Sequence, residues 1–174
     1  MPPPRGSAAS SAYRASYNIA PRWITQPYLC GILLSVLDEI QRQYHWPNKV
    51  NTTLADRFYG AASVAPSSVF ANLMSIATKA HLPKLRREGR GVVEKRKDAL
   101  SGEDVLVTIG EKFETVCAKL DAAGGFPGPL SPKAQAEFGL GYYHQKAKFR
   151  ASRNEAALEK KRKLAAKNIG ETNA

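Results

Sequence analysis

At 174 residues with 43% hydrophobic side chains, the chain is long enough for one ordinary domain with its own core, which excludes a wholly disordered polypeptide. Lysine and arginine (26) outnumber aspartate and glutamate (15), giving a net charge of +11, the balance of a protein that meets a polyanion. No segment approaches the roughly 20 apolar residues of a membrane span, so a membrane protein of helical type is not expected.

In chain order, residues 1–24 read as a flexible arm. The stretch to Trp23 is rich in Pro, Ser and Ala, contains no acidic residue and shows no periodicity, and it lacks the apolar run of a secretory signal. A cytoplasmic setting is the expectation. The first helix is predicted from Pro27 to about Tyr44, preceded by Thr25 or Gln26. Leu29, Ile32, Leu33, Val36, Leu37, Ile40 and Tyr44 form one apolar stripe, and "HWPNK" ends it. Asn51 offers a cap for a short second helix carrying Leu54 and Phe58, which Gly60 ends.

Pro66 begins a third helix with Val69, Phe70, Leu73, Met74, Ile76, Ala77 and Ala80 on one side. The stretch "RFYGAASVAPSSVF" is therefore predicted to be a corner between two helices rather than a ligand loop. Its small residues Ala61, Ala62, Ser63 and Ala65 allow close approach, and one glycine does not make a phosphate cradle. Pro83 breaks or kinks the third helix, and a basic helical segment is predicted from Lys84 to Leu100, interrupted by Gly89 and Gly91.

Val105, Ile109, Phe113, Val116, Cys117 and Leu120 have helical spacing, with Glu103 and Asp104 in the favourable first turn. "DVLVTIG" also suits a strand, but the sequence shows no partner for it, and a lone strand is not viable. After the "GGFPGPL" connector, Ser131-Pro132 is a helix start. The last helix carries Ala134, Phe138, Tyr142 and Phe149, and Gly139 and Gly141 are placed to let another backbone come close. Beyond Arg150 the apolar anchors thin out, and an exposed helix is expected, with a Glu159–Lys163 pair. The reading is an all-α chain: a compact bundle of about five or six helices over residues 25–150, the arm before it, and a basic helical tail over 151–174.

Catalytic constellations are hard to find. Cys30 and Cys117 each sit in an apolar pattern and read as buried thiols, and His45, His81 and His144 have no paired metal-ligand spacing. The acid pairs Asp38–Glu39 and Glu103–Asp104 are helix neighbours, about 100° apart, and do not converge on one point. No cofactor, no metal and no enzymatic activity are expected.

The charge is concentrated instead. Lys79, Lys84, Arg86, Arg87, Arg90, Lys95, Arg96 and Lys97 face only Glu88 and Glu94 within their run. A second run, from Lys146 to Lys167, holds nine basic residues against Glu155 and Glu159. One such run alone reads equally as a solvated face or a phosphate contact; two on a chain at +11 favour phosphate binding. Of the aromatics able to stack bases (Phe58, Tyr59, Tyr142, Tyr143 and Phe149), Phe58 and Phe149 fit core stripes, and Tyr143 is the freest to face a partner. Nothing resembles a base-reading motif, so backbone contact without sequence readout is inferred.

"NTTLADRFYGAASVAPSSVF", "HLPKLRRE" and "FGLGYYHQ", in that order, resemble the C-terminal helical region of the large subunit of type I-C CRISPR effector complexes, which is also made separately as the small subunit. The resemblance spans roughly Pro27 to Lys148. It leaves out the arm and the tail, and "GRGVVEKRKDALSGEDVLVTIGEK" looks longer than the family's counterpart. It implies a helical bundle without catalysis, which helps to hold the R-loop. The implied partners are the large subunit, the guide-RNA backbone subunits, further copies of itself, and the target and displaced DNA strands, with the guide RNA contacted indirectly. Within the matching blocks it points to Arg57, Lys84, Arg86 and Arg87. Arg57 has Asp56 beside it, so a salt bridge or cap stands level with a phosphate contact. Together with the basic runs, the expected contact set is Arg57, Lys79, Lys84, Arg86, Arg87, Arg90, Tyr143, Lys146, Lys148 and Arg150. The competing readings are a protein–protein spacer and a metal-dependent nuclease using Asp38 or Glu103.

Overall fold

A computed structural model describes the backbone of residues 24–48, 50–89, 94–97 and 104–172, and the side chains of 24–48, 50–89 and 108–166. The expected arm thus lies almost wholly outside the described residues. Six α-helices appear among them, in an all-helical bundle with one small β-ribbon.

Helix α1 (Gln26–His45) is the hub. Thr25 caps it by accepting from the Tyr28 N–H, and Pro27 sits in the first turn, where its missing N–H costs nothing. Its buried set is wider than the single stripe predicted: Cys30, Leu34 and Ser35 are enclosed along with Leu29, Leu33, Val36, Leu37 and Ile40, whereas Ile32 is only half-buried. A helix apolar nearly all round is one that neighbours surround. Burial pushes the Cys30 thiol up to about 12, and burial, then nearby Asp121 and Glu114, pushes Cys117 up to about 11, so neither is a thiolate at neutral pH.

Helix α2 (Leu54–Val64) starts at Thr53, not Asn51. Thr53 and Asp56 form a reciprocal capping box, whose hydroxyl and carboxylate geometry outcompetes the earlier asparagine. The helix also runs through Gly60 and stops only at Pro66, because a residue before proline is forced out of helical geometry; Ala65 has φ −141° and ψ 78°. Helix α3 (Pro66–Ile76) follows at once, so the helical corner stands, shifted to Ala65. The later Pro/Gly connector braces it: the Leu130 N–H donates to the Val64 carbonyl at 2.7 Å, and Phe126 stacks on Phe70 at 5.0 Å.

Pro83 acts as predicted, with a specific device. The helix widens into one π turn (Ala77–His81), where the Leu82 N–H reaches back to the Ala77 carbonyl, before α4 (Leu82–Arg87) resumes. The wider turn accommodates a proline that has no N–H to offer the carbonyl four residues earlier. Gly89, at φ 61°, closes α4.

The expected basic helix forms only at its start, in α4 as far as Arg87, and does not run on to Leu100. Instead β1 (Glu94–Lys97) pairs antiparallel with β2 (Asp104–Val107), Glu94 opposite Val107 and Lys97 opposite Asp104. "DVLV" is a strand after all, and its partner is "EKRK", a charged segment whose lack of apolar alternation hid it. Helix α5 (Ile109–Ala122) accordingly begins later than predicted, with Thr108 and Glu111 as its capping box; Ile109, Phe113, Val116 and Leu120 are its buried face.

Helix α6 (Pro132–Thr172) is 41 residues long, about 60 Å, twice the length of α1. It runs parallel to α1: Thr25 donates to Glu137 at 2.7 Å near one end, and Arg153 reaches Glu39 at 2.8 Å near the other. Gly31 of α1 and Gly141 of α6 make the crossing. A Cβ on Gly31 would lie 1.9 Å from the Phe138 carbonyl oxygen, and one on Gly141 2.0 Å from that of Tyr28. Gly141 is thus the close approach expected; Gly139 instead meets the Tyr59 hydroxyl.

Glu39 locks the far end of this pair. It is buried and accepts from Arg42, Gln43 and Arg153. Burial alone raises its carboxyl, but the Arg42 and Gln43 hydrogen bonds and the charges of Arg42 and Arg153 outweigh burial and hold it below its ordinary value of 4.5. A depressed folded-state value stabilises the fold above the unfolded value and loses that contribution as the pH falls through it. Stability should therefore drop on acidification below about pH 4, and the Glu39→Gln variant should lose that part of the acid response. At neutral pH the substitution should cost about 2 kcal/mol, less than for a fully buried pair, because the two guanidinium groups are 38% and 40% exposed. Urea titrations of both proteins at pH 7 and pH 3.5 measure this.

Candidate nucleic-acid interface

The expected contact residues do not form one patch. They divide between two edges of the bundle. The first is built by the π turn and α4. Lys79 projects from the widened turn and is exposed, as is Arg87, and neither has a carboxylate partner among the described residues. Lys84 is half-buried, with its Nζ 4.3 Å from the centre of the Tyr44 ring, a cation–π contact that holds the ammonium near the end of α1. Arg86 donates to Glu114 at 2.6 Å, but both side chains are more than 60% exposed, so the pair is weak and open to competition. Arg90 lies outside the described residues.

Beneath this edge, His81 is buried with its Nδ1 unpartnered, and its ring lies 4.4 Å from Tyr44 and 6.3 Å from His45. Burial first, then the nearby His45 and Lys84, lowers its basicity, so it is neutral at physiological pH and adds no charge to the edge.

The second edge is one flank of α6. Tyr143, Lys146 and Arg150 are spaced three and four apart and share that flank; all three are exposed. Tyr143 leans on Tyr59, with ring centres 6.2 Å apart. Lys146 donates to the Tyr142 hydroxyl at 2.8 Å. Partial burial alone would make Lys146 less basic. The Tyr142 bond and the Asp38 and Asp56 charges outweigh it, and the ammonium is held above its ordinary value. Lys148, two residues on from Lys146, is turned about 160° away, beside His144 rather than Arg150. These residues are therefore split across two flanks of the helix.

Arg57 lies on α2, on neither the π turn–α4 segment nor α6. Its neighbour Asp56 is committed to the Thr53 cap, and Arg57 is exposed with no carboxylate partner among the described residues. The N-terminus of α2 beside it is no anion site: the amides of Leu54, Ala55, Asp56 and Arg57 already donate to Gln41, Asp38, the Thr53 hydroxyl and the Thr53 carbonyl. Asp38, one of the two acids weighed for a nuclease, is thus a cap for α2, while the Glu103 side chain lies outside the described residues.

Two features escaped the sequence reading. Arg42 and Arg153 are drawn to one buried carboxylate, a link between residues far apart in the chain. Trp46 follows the end of α1 and is 57% exposed. The signal for it was present in "HWPNK", since a proline one residue later removes the tryptophan from the helix stripe.

Among the described residues no group of three or more His, Cys, Asp or Glu side chains converges as a metal-holding set, and no helix is long and apolar enough to cross a membrane. Residues 16–150 match a protein-family model described as CRISPR-associated protein (Cas_Csd1). The match starts inside the segment read as an arm and stops where the basic tail was placed. A comparison with curated proteins finds no match.

Proposed function

Because this chain belongs to the Cas_Csd1 family of CRISPR-associated proteins, we propose that it serves as the non-catalytic small subunit of a cytoplasmic type I-C surveillance complex. It grips the sugar–phosphate backbone of the target and displaced strands and leaves sequence reading to the guide. The bundle of residues 25–150 is the docking and gripping body, and the tail of 151–174 adds charge. The observation that carries this reading is the cationic edge of the π turn and α4, where Lys79, Lys84 and Arg87 stand clear of the molecule's own carboxylates among the described residues. Tyr143, Lys146 and Arg150 form a second contact line.

The test is a salt titration of single-stranded DNA binding. Log affinity should fall with log salt by about 0.7 for each phosphate neutralised, so five or six contacts give a slope near −4. A slope near zero removes the reading.

A second reading, in which the chain is chiefly a spacer between subunits, draws on Leu140, Leu158 and Leu164, which lie 55–61% exposed along α6. Substituting these leucines by glutamine should abolish assembly and spare strand binding by the isolated chain if the spacer role is the main one.

A further inference from the structure

Resting on the nucleic-acid reading above, the far end of α6 points to a second form of the ligand. Arg153 of α6 reaches Glu39 of α1, and α1 stops at His45. Helix α6 runs on from Arg153 to Thr172, about 28 Å at 1.5 Å per residue, and this overhang lies beyond the family match, which stops at residue 150. Every side chain from Asn154 to Ala166 is exposed. Lys160, Lys161, Arg162 and Lys163 follow one another there. Successive residues of a helix point about 100° apart, so the four cations girdle it instead of forming one face. With only Glu155 and Glu159 against them, the stretch 154–166 is at net +2. Glu159 pairs with Lys163 at 2.9 Å, but both side chains are exposed and the pair is weak. The overhang also belongs to the same end of α1 as the first cationic edge, because Lys84 sits over Tyr44 in the last turn of α1.

We propose that the α6 overhang is a duplex-binding helix that lies in the major groove of B-form DNA, with its girdle of cations on the phosphates of both walls, while the edges of the bundle take the unpaired strands. A protein groove or a membrane surface takes one apolar face of a helix and leaves the other to water. Here Lys161 projects between Leu158 and Leu164, three residues from each, so either partner would have to take in an ammonium with them. A single strand follows one side of a helix and would leave half of the girdle unused. The major groove, about 12 Å wide, admits a whole helix and has phosphates along both sides. The major groove of A-form RNA is deep and narrow, so the same helix is shut out of an RNA duplex.

The test uses the full chain and its quadruple variant Lys160→Gln, Lys161→Gln, Arg162→Gln and Lys163→Gln. The probes are a DNA duplex of about 20 base pairs, which is some two helical turns, an RNA duplex of equal length and a single DNA strand. The variant should bind the DNA duplex about thirtyfold more weakly at 0.15 M salt, since one lost phosphate on each wall, at about 0.9 apiece, acts between 0.15 M and a 1 M reference. Its loss on the single strand should stay below about threefold. The parent should bind the RNA duplex about tenfold more weakly than the DNA duplex. The parent should also shield guanine N7 atoms, which face the major groove, from methylation by dimethyl sulfate, and the variant should not. Alanine at the same four positions, which strengthens the helix, should act as glutamine does, so a loss of binding is not a loss of helix. A variant that matches the parent on the DNA duplex overturns the proposal and leaves the overhang to a protein partner. Equal loss on duplex and strand, equal parent affinity for the two duplexes, or unshielded N7 atoms overturn it as well. If the parent binds neither duplex nor strand, the gripping function itself fails; if it binds the strand and not the duplex, only the role of the overhang fails.

Discussion

Alanine at Gly31 or at Gly141 should lower the melting temperature by about 10 °C, the equivalent of about 3 kcal/mol for a chain of this size. The new methyl group would meet backbone, not a side chain that can swing aside: the Phe138 carbonyl oxygen at 1.9 Å in one case and that of Tyr28 at 2.0 Å in the other. Helices α1 and α6 would have to separate, and Phe138 and Tyr142, which are buried at the crossing, would lose packing with them. Gly60→Ala is the control. Gly60 lies inside α2 with nothing within 4 Å of the added methyl, so the change should be neutral or should stabilise by up to about 1 kcal/mol through helix propensity. Thermal melts followed by circular dichroism separate the three variants. If Gly31→Ala and Gly60→Ala melt together, the parallel crossing is wrong.

Reversing three charges on the first edge (Lys79→Glu, Lys84→Glu and Arg87→Glu together) should reduce affinity for single-stranded DNA about fiftyfold at 0.15 M salt. Three lost phosphate contacts at about 0.7 each act across the range between 0.15 M and a 1 M reference, and the salt slope should fall by about 2. The fold should be little affected, since Lys79 and Arg87 are exposed and Lys84 gives up one cation–π contact, worth about 1 kcal/mol. The same reversal at Arg57 alone should do less, because it removes one phosphate contact rather than three. Filter binding or fluorescence anisotropy across a salt series measures each. A triple variant with the parent's slope would place the phosphate track elsewhere on the molecule.

The local signals that proved reliable were those whose physics is contained in a few adjacent residues. Thr25-Gln-Pro and Ser131-Pro132 start helices where they were placed, and Pro66 and Pro83 act at their own positions. The Glu159–Lys163 pair forms on the exposed helix at 2.9 Å. Where two local signals competed, the reading slipped: Asn51 lost the cap to the Thr53–Asp56 box, and Gly60 did not end α2 because one glycine only weakens a helix that Ala61, Ala62 and Val64 continue. The β-ribbon was missed for a different reason. A strand is defined by its partner, and "EKRK" has no pattern of its own to announce the pairing. The cationic residues were all legible as charges, but not as two edges, since that division depends on which flank of α6 carries each side chain and on the turn before Pro83.

What could be read from the chain alone was a helical bundle, where most of its helices begin, and the excess of positive charge that suits a polyanion, because propensity, capping and net charge are sums over neighbouring residues. Only the tertiary structure decided that α1 and α6 run side by side on two glycines and that Glu39 gathers Arg42 and Arg153. Each of these joins residues distant in the chain, and the contact exists only once the backbone has brought them within a few ångströms of each other.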